Sequence, residues 1–298
     1  MSNSFSEFSE GLSAAVENGG MSTILVDARK RYPASGIVYA EDLILTADHV
    51  VTREEDIKVI LPDGKSLNAT IAGRDPGSDL ALLRLAEKAL SPAKTSDDVK
   101  VGQLVLALGR PNSNGMHASW GIVTSINGAT RTFRGGMLDG YILTETTPYP
   151  GFSGGPLVNT EGEVLGLNTS GLTRGSSLTI PVKMAWLTAE ALAAHGSVKR
   201  GYLGVRTQPV EVPESSREAL KREQSHGLLV LWLEEGGPAA KGGLLVGDIL
   251  VAVNGQPVDD PDDLFSALGS DTVGKAIAVE VLRGGRPETL NVTVGERK

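Results

Sequence analysis

The chain contains no cysteine, so disulfides, thiol catalysis and cysteine-ligated zinc are all excluded. Aromatics are scarce, at 4% of 298 residues, so its cores must rest on aliphatic side chains. Cations are outnumbered, with 28 Lys and Arg against 36 Asp and Glu, and no dense basic cluster offsets the net charge of -8. That balance argues against nucleic acid or an anionic membrane as the main partner. No run approaches the roughly 18 apolar residues that a bilayer-spanning helix requires. Residues 1–20 show neither a basic n-region nor an apolar h-region, so no secretory leader is read there. The chain as given is therefore expected to be cytoplasmic, or periplasmic or otherwise extracytoplasmic if a leader has been removed. Histidine is also scarce, with four in all, which narrows any search for a catalytic base.

Glycine is plentiful, at 37 residues, and lies between short runs of Val, Ile and Leu. From Ser22 to about Leu187 the sequence holds roughly a dozen such β runs with little helical period, the pattern of sandwiches or barrels. This length suits two six-stranded barrels, with a polar break at Ser91 to Lys100. A helix rich in Ala and Leu is expected over Val182–His195, ending at Gly196. Ahead of the barrels, Phe5, Phe8, Leu12 and Val16 give Ser4–Asn18 an amphipathic helical spacing. Its phenylalanines need a partner surface, either on the same chain or on another subunit. From Gly201 the composition changes to β runs mixed with two helical stretches, one opening at Pro238 and one over Asp260–Leu268. Asp260 can cap the latter, and Pro261 suits its first turn. The ranges read as an N-terminal segment at 1–20, a β-rich domain at 21–197 and a small mixed domain at 198–298.

The peptide Gly151-Phe152-Ser153-Gly154-Gly155-Pro156 places a serine between glycines, where the backbone can approach a reacting carbonyl closely. A serine hydroxyl needs a neighbouring base, and the base needs an orienting carboxylate. His117 lies in a loop-like stretch, and His195 and His226 each precede a glycine. His49 alone lies between two apolar β runs, where packing can hold an imidazole still. Asp79 directly precedes the apolar run Leu80-Ala81-Leu82-Leu83 and is expected to be partly buried. Asp75, next to Pro76, reads better as a turn residue. Asp48 adjoins His49 but would face the other way on a strand. The order His49, Asp79, Ser153 is that of chymotrypsin-like enzymes. The backbone N–H groups around Gly151, Phe152 and Ser153 are then the candidate oxyanion hole. No metal or other cofactor is called for by this chemistry.

These motifs resemble the HtrA/DegP family of serine proteases over nearly the whole chain. Thr46-Ala47-Asp48-His49 is similar to its histidine motif, Asp75-Pro76-Gly77-Ser78-Asp79-Leu80-Ala81 to its aspartate motif and Gly151 to Leu157 to its serine motif. Gly201-Tyr202-Leu203-Gly204-Val205 resembles the carboxylate-binding loop of its PDZ domain. The resemblance implies a mostly β fold, a chymotrypsin-like double β-barrel protease domain followed by a small α+β PDZ domain. It also implies ATP-independent cleavage of unfolded or damaged polypeptides, peptide C-termini bound at the PDZ domain, and a homotrimer. Leu178, Thr179 and Ile180 resemble the strand lining its substrate pocket. Tyr202, Leu203, Gly204 and Val205 would bind peptide, while Leu264 and Leu268 would face the peptide groove or fill the core. Phe152 departs from the family's usual Asn, and its ring could restrict access to Ser153 or mark a resting loop. A quiescent, chaperone-like or peptide-binding protein is the alternative. Arg174, between Gly171 and Ser177, reads as a solvated charge or a regulatory contact.

Overall fold

The computed structural model describes residues 3–296 apart from 89, 133–135, 173–176 and 270–271; Arg174 therefore lies outside the described residues. It divides into two compact units, Met1–Val198 and Lys199–Lys298.

The larger unit opens with α1 (Ser4–Gly20), capped by the Asn3 side chain. Six strands follow: β1 (Thr23–Asp27), β2 (Ala34–Ala40), β3 (Leu43–Ala47), β4 (Ile57–Ile60), β5 (Ser66–Asp75) and β6 (Leu80–Leu85). They close into an antiparallel barrel in the order β1-β2-β3-β6-β5-β4. The second barrel uses β7 (Leu104–Gly109), β8 (His117–Asn127), β11 (Tyr141–Thr144), β12 (Pro156–Val158), β13 (Val164–Thr169) and β14 (Leu178–Pro181). A small ribbon, β9 (Thr130–Arg131) with β10 (Met137–Leu138), stands apart. The second ring runs β11-β14-β13-β12-β7-β8. Counted from its own first strand, that is the strand order of the first ring.

The apolar runs become strands buried on both faces. Every residue of β3 and of β13 is buried, and in β6 only Arg84 is exposed. One face fills its barrel, and α2 (Val182–His195) covers β5, β6, β13 and β14, bridging the two barrels. A single apolar core runs through Ile24, Ile44 and Leu83 of the first barrel, Leu108, Leu167 and Ile180 of the second, and Ala185 and Leu192 of α2. Gly196 ends α2 in the left-handed conformation at φ 74°, as a C-terminal glycine allows. At the other end, Gly19 lets α1 lie against the second barrel, because a Cβ there would come within 2.8 Å of Leu108 Cδ1. The aromatic end of α1 is less covered: Phe8 meets Trp120 edge-on at 6.4 Å, and Phe5 remains 80% exposed.

The smaller unit contains β15 (Gly201–Tyr202), β16 (Val205–Glu211), α3 (Glu214–Leu220), β17 (His226–Leu233), α4 (Pro238–Lys241), β18 (Ile249–Val253), β19 (Gln256–Pro257), α5 (Pro261–Ala267), β20 (Ala276–Arg283), β21 (Arg286–Thr293) and β22 (Gly295–Glu296). Its main sheet runs β16-β17-β18-β20-β21, which leaves β16 as an edge strand. Asp260 and Asp263 form a reciprocal capping box at the start of α5, ahead of which no long apolar pattern is needed to fix the helix. Helix α3 was not among the expected elements; its seven residues are too few to show a clear helical period.

Candidate active site

His49 follows β3 in a single 3-10 turn over Asp48–Val50, whose valine is fully buried. Asp79 sits at the head of β6, wholly buried, with φ 56°. Its Oδ2 lies 2.8 Å from His49 Nδ1, and its Oδ1 accepts the His49 backbone N–H at 2.8 Å. The Thr169 hydroxyl also donates to Oδ2. Burying a carboxyl group without such hydrogen-bond partners would be costly. Behind the pair there is no spare room: a Cβ on Gly171 would lie 2.3 Å from Asp79 Oδ2 and 2.4 Å from His49 Nδ1. Asp48 is turned away to Arg74, whose Nε is 2.6 Å from Asp48 Oδ1. Asp75 is buried and accepts the Ser78 hydroxyl, so it holds the turn that presents Asp79. His117 begins β8 and is exposed.

Ser153 lies between Gly151 (φ 90°) and Gly154 (φ 86°). No side chain fits at Gly154, where a Cβ would meet Ser35 O at 2.1 Å. Gly154 N–H donates to Asn168 O, and Asn168 N–H donates to Gly155 O. The buried Ser35 of β2 clamps this loop to the first barrel. Its N–H donates to Ser153 O at 3.2 Å, and its hydroxyl donates to Gly151 O at 2.7 Å. Among the described residues the N–H groups of Gly151 and Ser153 have no acceptor, whereas Phe152 N–H is taken by Tyr149 O at 3.0 Å. Two spare donors thus stand beside the hydroxyl, and Phe152 contributes none.

The Phe152 ring does not hang over the serine. It is 2% exposed and packs with Val105, Ala107, Val123, Ile142, Leu157 and Leu165. The bare Cα of Gly109 makes room for it, since a Cβ there would meet Phe152 Cδ1 at 2.6 Å. Tyr149 meets the ring edge-on at 5.5 Å.

His49 and Ser153 line one cavity of about 510 Å3. Within it the Ser153 hydroxyl lies 3.2 Å from the Ser170 hydroxyl, and no hydrogen bond joins it to His49 among the described residues. A second cavity of about 200 Å3 is lined by Leu178, Thr179, Asn168 and Thr146, among others. Ile180 is fully buried in the shared core and does not line it. Ser35, Thr169, Ser170 and Gly171 were not singled out from sequence. The polar triplet Asn168-Thr169-Ser170 ending an apolar strand was the available signal for two of them.

In the smaller unit, Tyr202 pairs with Gly295, Gly204 has φ 75°, and Val205 opens the edge strand β16. Leu203 is buried, and Leu264 and Leu268 are 5% and 7% exposed in the same core. Core filling is therefore what the structure records for both leucines. Helix α5 packs beside β16.

Residues 34–167 match the trypsin-like peptidase domain, and residues 201–294 match the PDZ domain. A DegP-like periplasmic serine endoprotease of Halomonas elongata is 37% identical over 276 residues, covering 90% of this chain and 57% of the relative. One from Pseudomonas fulva is 39% identical over 269 residues, covering 88% and 55%. The chain thus spans a little over half the length of the curated relatives it matches. These relatives are named as periplasmic, which overturns the cytoplasmic expectation drawn from residues 1–20. Among solved structures, the HtrA-type protease AlgW with a tripeptide is 30% identical with a TM-score of 0.79, covering 96% of this chain and 97% of that one. A serine endoprotease from Yersinia pestis is 28% identical with a TM-score of 0.79, covering 96% and 98%. The chain belongs to the HtrA-type serine proteases, with a trypsin-like peptidase domain followed by a PDZ domain.

Proposed function

We propose that this protein is an ATP-independent serine endopeptidase that cleaves unfolded or damaged polypeptides in the periplasm. Residues 21–197 would form its protease domain and 198–298 its PDZ domain. The observation that carries this reading is the His49–Asp79 pair, 2.8 Å apart, with His49 lining one cavity with Ser153. In the mechanism, His49 takes the Ser153 proton as the hydroxyl oxygen attacks the substrate carbonyl. Asp79, with Thr169 behind it, holds the imidazole tautomer and supports the imidazolium that forms. The N–H groups of Gly151 and Ser153 take the developing oxyanion, each such donor contributing roughly 3 kcal/mol in a well-studied protease. His49 then passes its proton to the leaving amine, and water repeats the sequence on the acyl-enzyme. Leu178 and Thr179 would receive the residue before the cut.

The PDZ domain would bind peptide C-termini at Tyr202–Val205, with the peptide added as a strand beside β16. An open edge strand next to α5 supports that mode. The exposed Phe5, Phe8 and Trp120 offer a contact for the homotrimer implied by the resemblance. The test of the proteolytic reading is fluorophosphonate labelling of Ser153 together with turnover of unfolded casein. Both are expected in the parent and absent in Ser153→Ala; a folded parent that does neither overturns the reading. A second reading, a resting site that binds polypeptide without cutting it, is favoured by the Ser153–Ser170 hydrogen bond in place of one to His49. It predicts labelling only after a PDZ-binding peptide is added.

A further inference from the structure

The cavity at Ser153 extends to the connection between β1 and β2, where Arg29, Arg31 and Tyr32 form its wall. None of the described residues lining it carries a carboxylate. Arg29 is half-buried and donates through Nε to the Tyr32 carbonyl and through Nη2 to the Pro33 carbonyl at 3.3 Å. Those carbonyls fix the guanidinium in place without neutralising it. Burial pushes it below its ordinary pKa, and no neighbouring acid offsets the shift. Asp27, the acid on the same hairpin, is committed to Arg53 at 2.6 Å. Arg31 is exposed, and neither it nor Arg29 has an ion-pair partner among the described residues. Positive charge thus concentrates at one wall of the cleft in a protein whose net charge is -8. A cleft lined by one sign of charge focuses its field on the substrate.

The side of the cut follows from which barrel supplies each cavity. Among the described residues the lining of the Leu178–Thr179 cavity comes from the second barrel and the loops around it; the cavity at Ser153 shares Pro148, Phe152 and Ser177 with it and adds the arginine wall, which is the first-barrel hairpin. A substrate seated with its acyl side toward Leu178 and Thr179 lays its departing side along that hairpin. We propose that Arg29 and Arg31 form a carboxylate-binding subsite for the leaving-group side of the substrate. It would select polypeptides carrying Asp or Glu, or a free C-terminus, just beyond the cleaved bond. This inference rests on the endopeptidase reading above.

The test is a panel of quenched fluorogenic peptides, identical before the cut, with Glu, Gln or Lys at the second position after it. Each is made with an amidated and with a free C-terminus. The Glu peptide is expected to exceed the Gln peptide by about tenfold in kcat/KM, as one charge-assisted hydrogen bond would give. Lys should fall below Gln, Arg31→Glu should invert the Glu-to-Lys ratio, and added salt should compress it. A gain confined to the free-acid peptides identifies the terminal carboxylate as the ligand instead of the side chain. Equal kcat/KM across peptides that are all cleaved overturns the subsite and leaves the endopeptidase reading intact. If no peptide is cleaved, the same panel is titrated by fluorescence anisotropy against Ser153→Ala, and the endopeptidase reading is left to its own casein and labelling test. A preference for Glu that Arg31→Glu abolishes then supports the subsite, and equal affinities overturn it. Arg31 carries the test because Arg29 also braces its hairpin.

Discussion

The two barrels share one strand order and put different chemistry into the same places. In the first, the connection between the third and fourth strands carries His49, and the one between the fifth and sixth carries Asp79. In the second, the same two connections carry Ser153 and the Ser170–Gly171 turn that follows Thr169. Each barrel ties its two connections together, by different means. The first uses a buried carboxylate that accepts from His49 twice. The second joins Ser153 to Ser170 at 3.2 Å and pairs Gly154 and Gly155 with Asn168 near the end of β13; among the described residues it leaves two N–H groups beside Ser153 without an acceptor. In the proposed mechanism one frame yields a fixed acid–base pair, and the other yields a nucleophile with spare donors. The first barrel would then hold an imidazole still, which full hydrogen bonding does well. The second would receive new charge, which needs donors that are not already used.

The comparison breaks most severely if the carboxylate is removed from the first barrel. Asp79→Asn keeps the side-chain volume, and Asn tolerates the positive φ found there. Its Oδ1 can still accept the His49 backbone N–H, but the second position no longer offers an anion to the ring. A loss of about 10^4-fold in kcat is expected, with the thermal midpoint of the fold close to that of the parent. Steady-state kinetics on a fluorogenic peptide and an unfolding curve measure both. A variant within tenfold of the parent would show that the first barrel's pair is not what activates Ser153.

The second barrel depends on a different anchor. In the first barrel, the fully buried Val50 holds the His49 turn; in the second, the residue next to the serine that does so is Phe152. Phe152→Ala should cost about 3–5 kcal/mol, as deletion of a buried aromatic typically does. The measurement is denaturant unfolding followed by a signal from the protease unit. A cost below about 1 kcal/mol would mean that the ring is not part of the core. Because Ser153 is the neighbour of this plug, its fluorophosphonate labelling should slow as well.

The contrast between the barrels was unevenly legible in the sequence. His49, Asp79 and Ser153 each stand in a local motif, and the short apolar runs with glycine turns announced the two barrels. Which strands close each ring was not visible, because pairings such as β1 with β4 join runs far apart in the chain. The same distance hid Ser35 and Thr169, whose parts arise from contacts with Gly151 and Asp79 on other elements. Phe152 looked like an obstruction because its neighbour in sequence is Ser153. Its neighbour in space is Gly109, and only the folded chain shows the room that glycine leaves. In the smaller unit, apolar spacing could not separate core from groove for Leu264 and Leu268, since both faces of a short helix ask for leucine.

The smallest expected effect tests the finest point of the comparison, the bond from Ser153 to Ser170. Asp79 and Ser170 belong to corresponding connections of the two barrels, and each holds the residue in the neighbouring slot, His49 in one case and Ser153 in the other. In the proposed mechanism the first hold positions a base, and the second occupies the hydroxyl that the base must reach, at 3.2 Å. Ser170→Ala removes that competitor and nothing from the His49–Asp79 pair. A hydroxyl hydrogen bond is worth about 0.5–1.5 kcal/mol net, so the freed Ser153 should react with a fluorophosphonate about two- to tenfold faster. The second-order labelling rate reads this directly, without peptide turnover. Slower labelling would reverse the assignment: Ser170 would then be aiming the nucleophile, and the second barrel would position its reactive group as actively as the first.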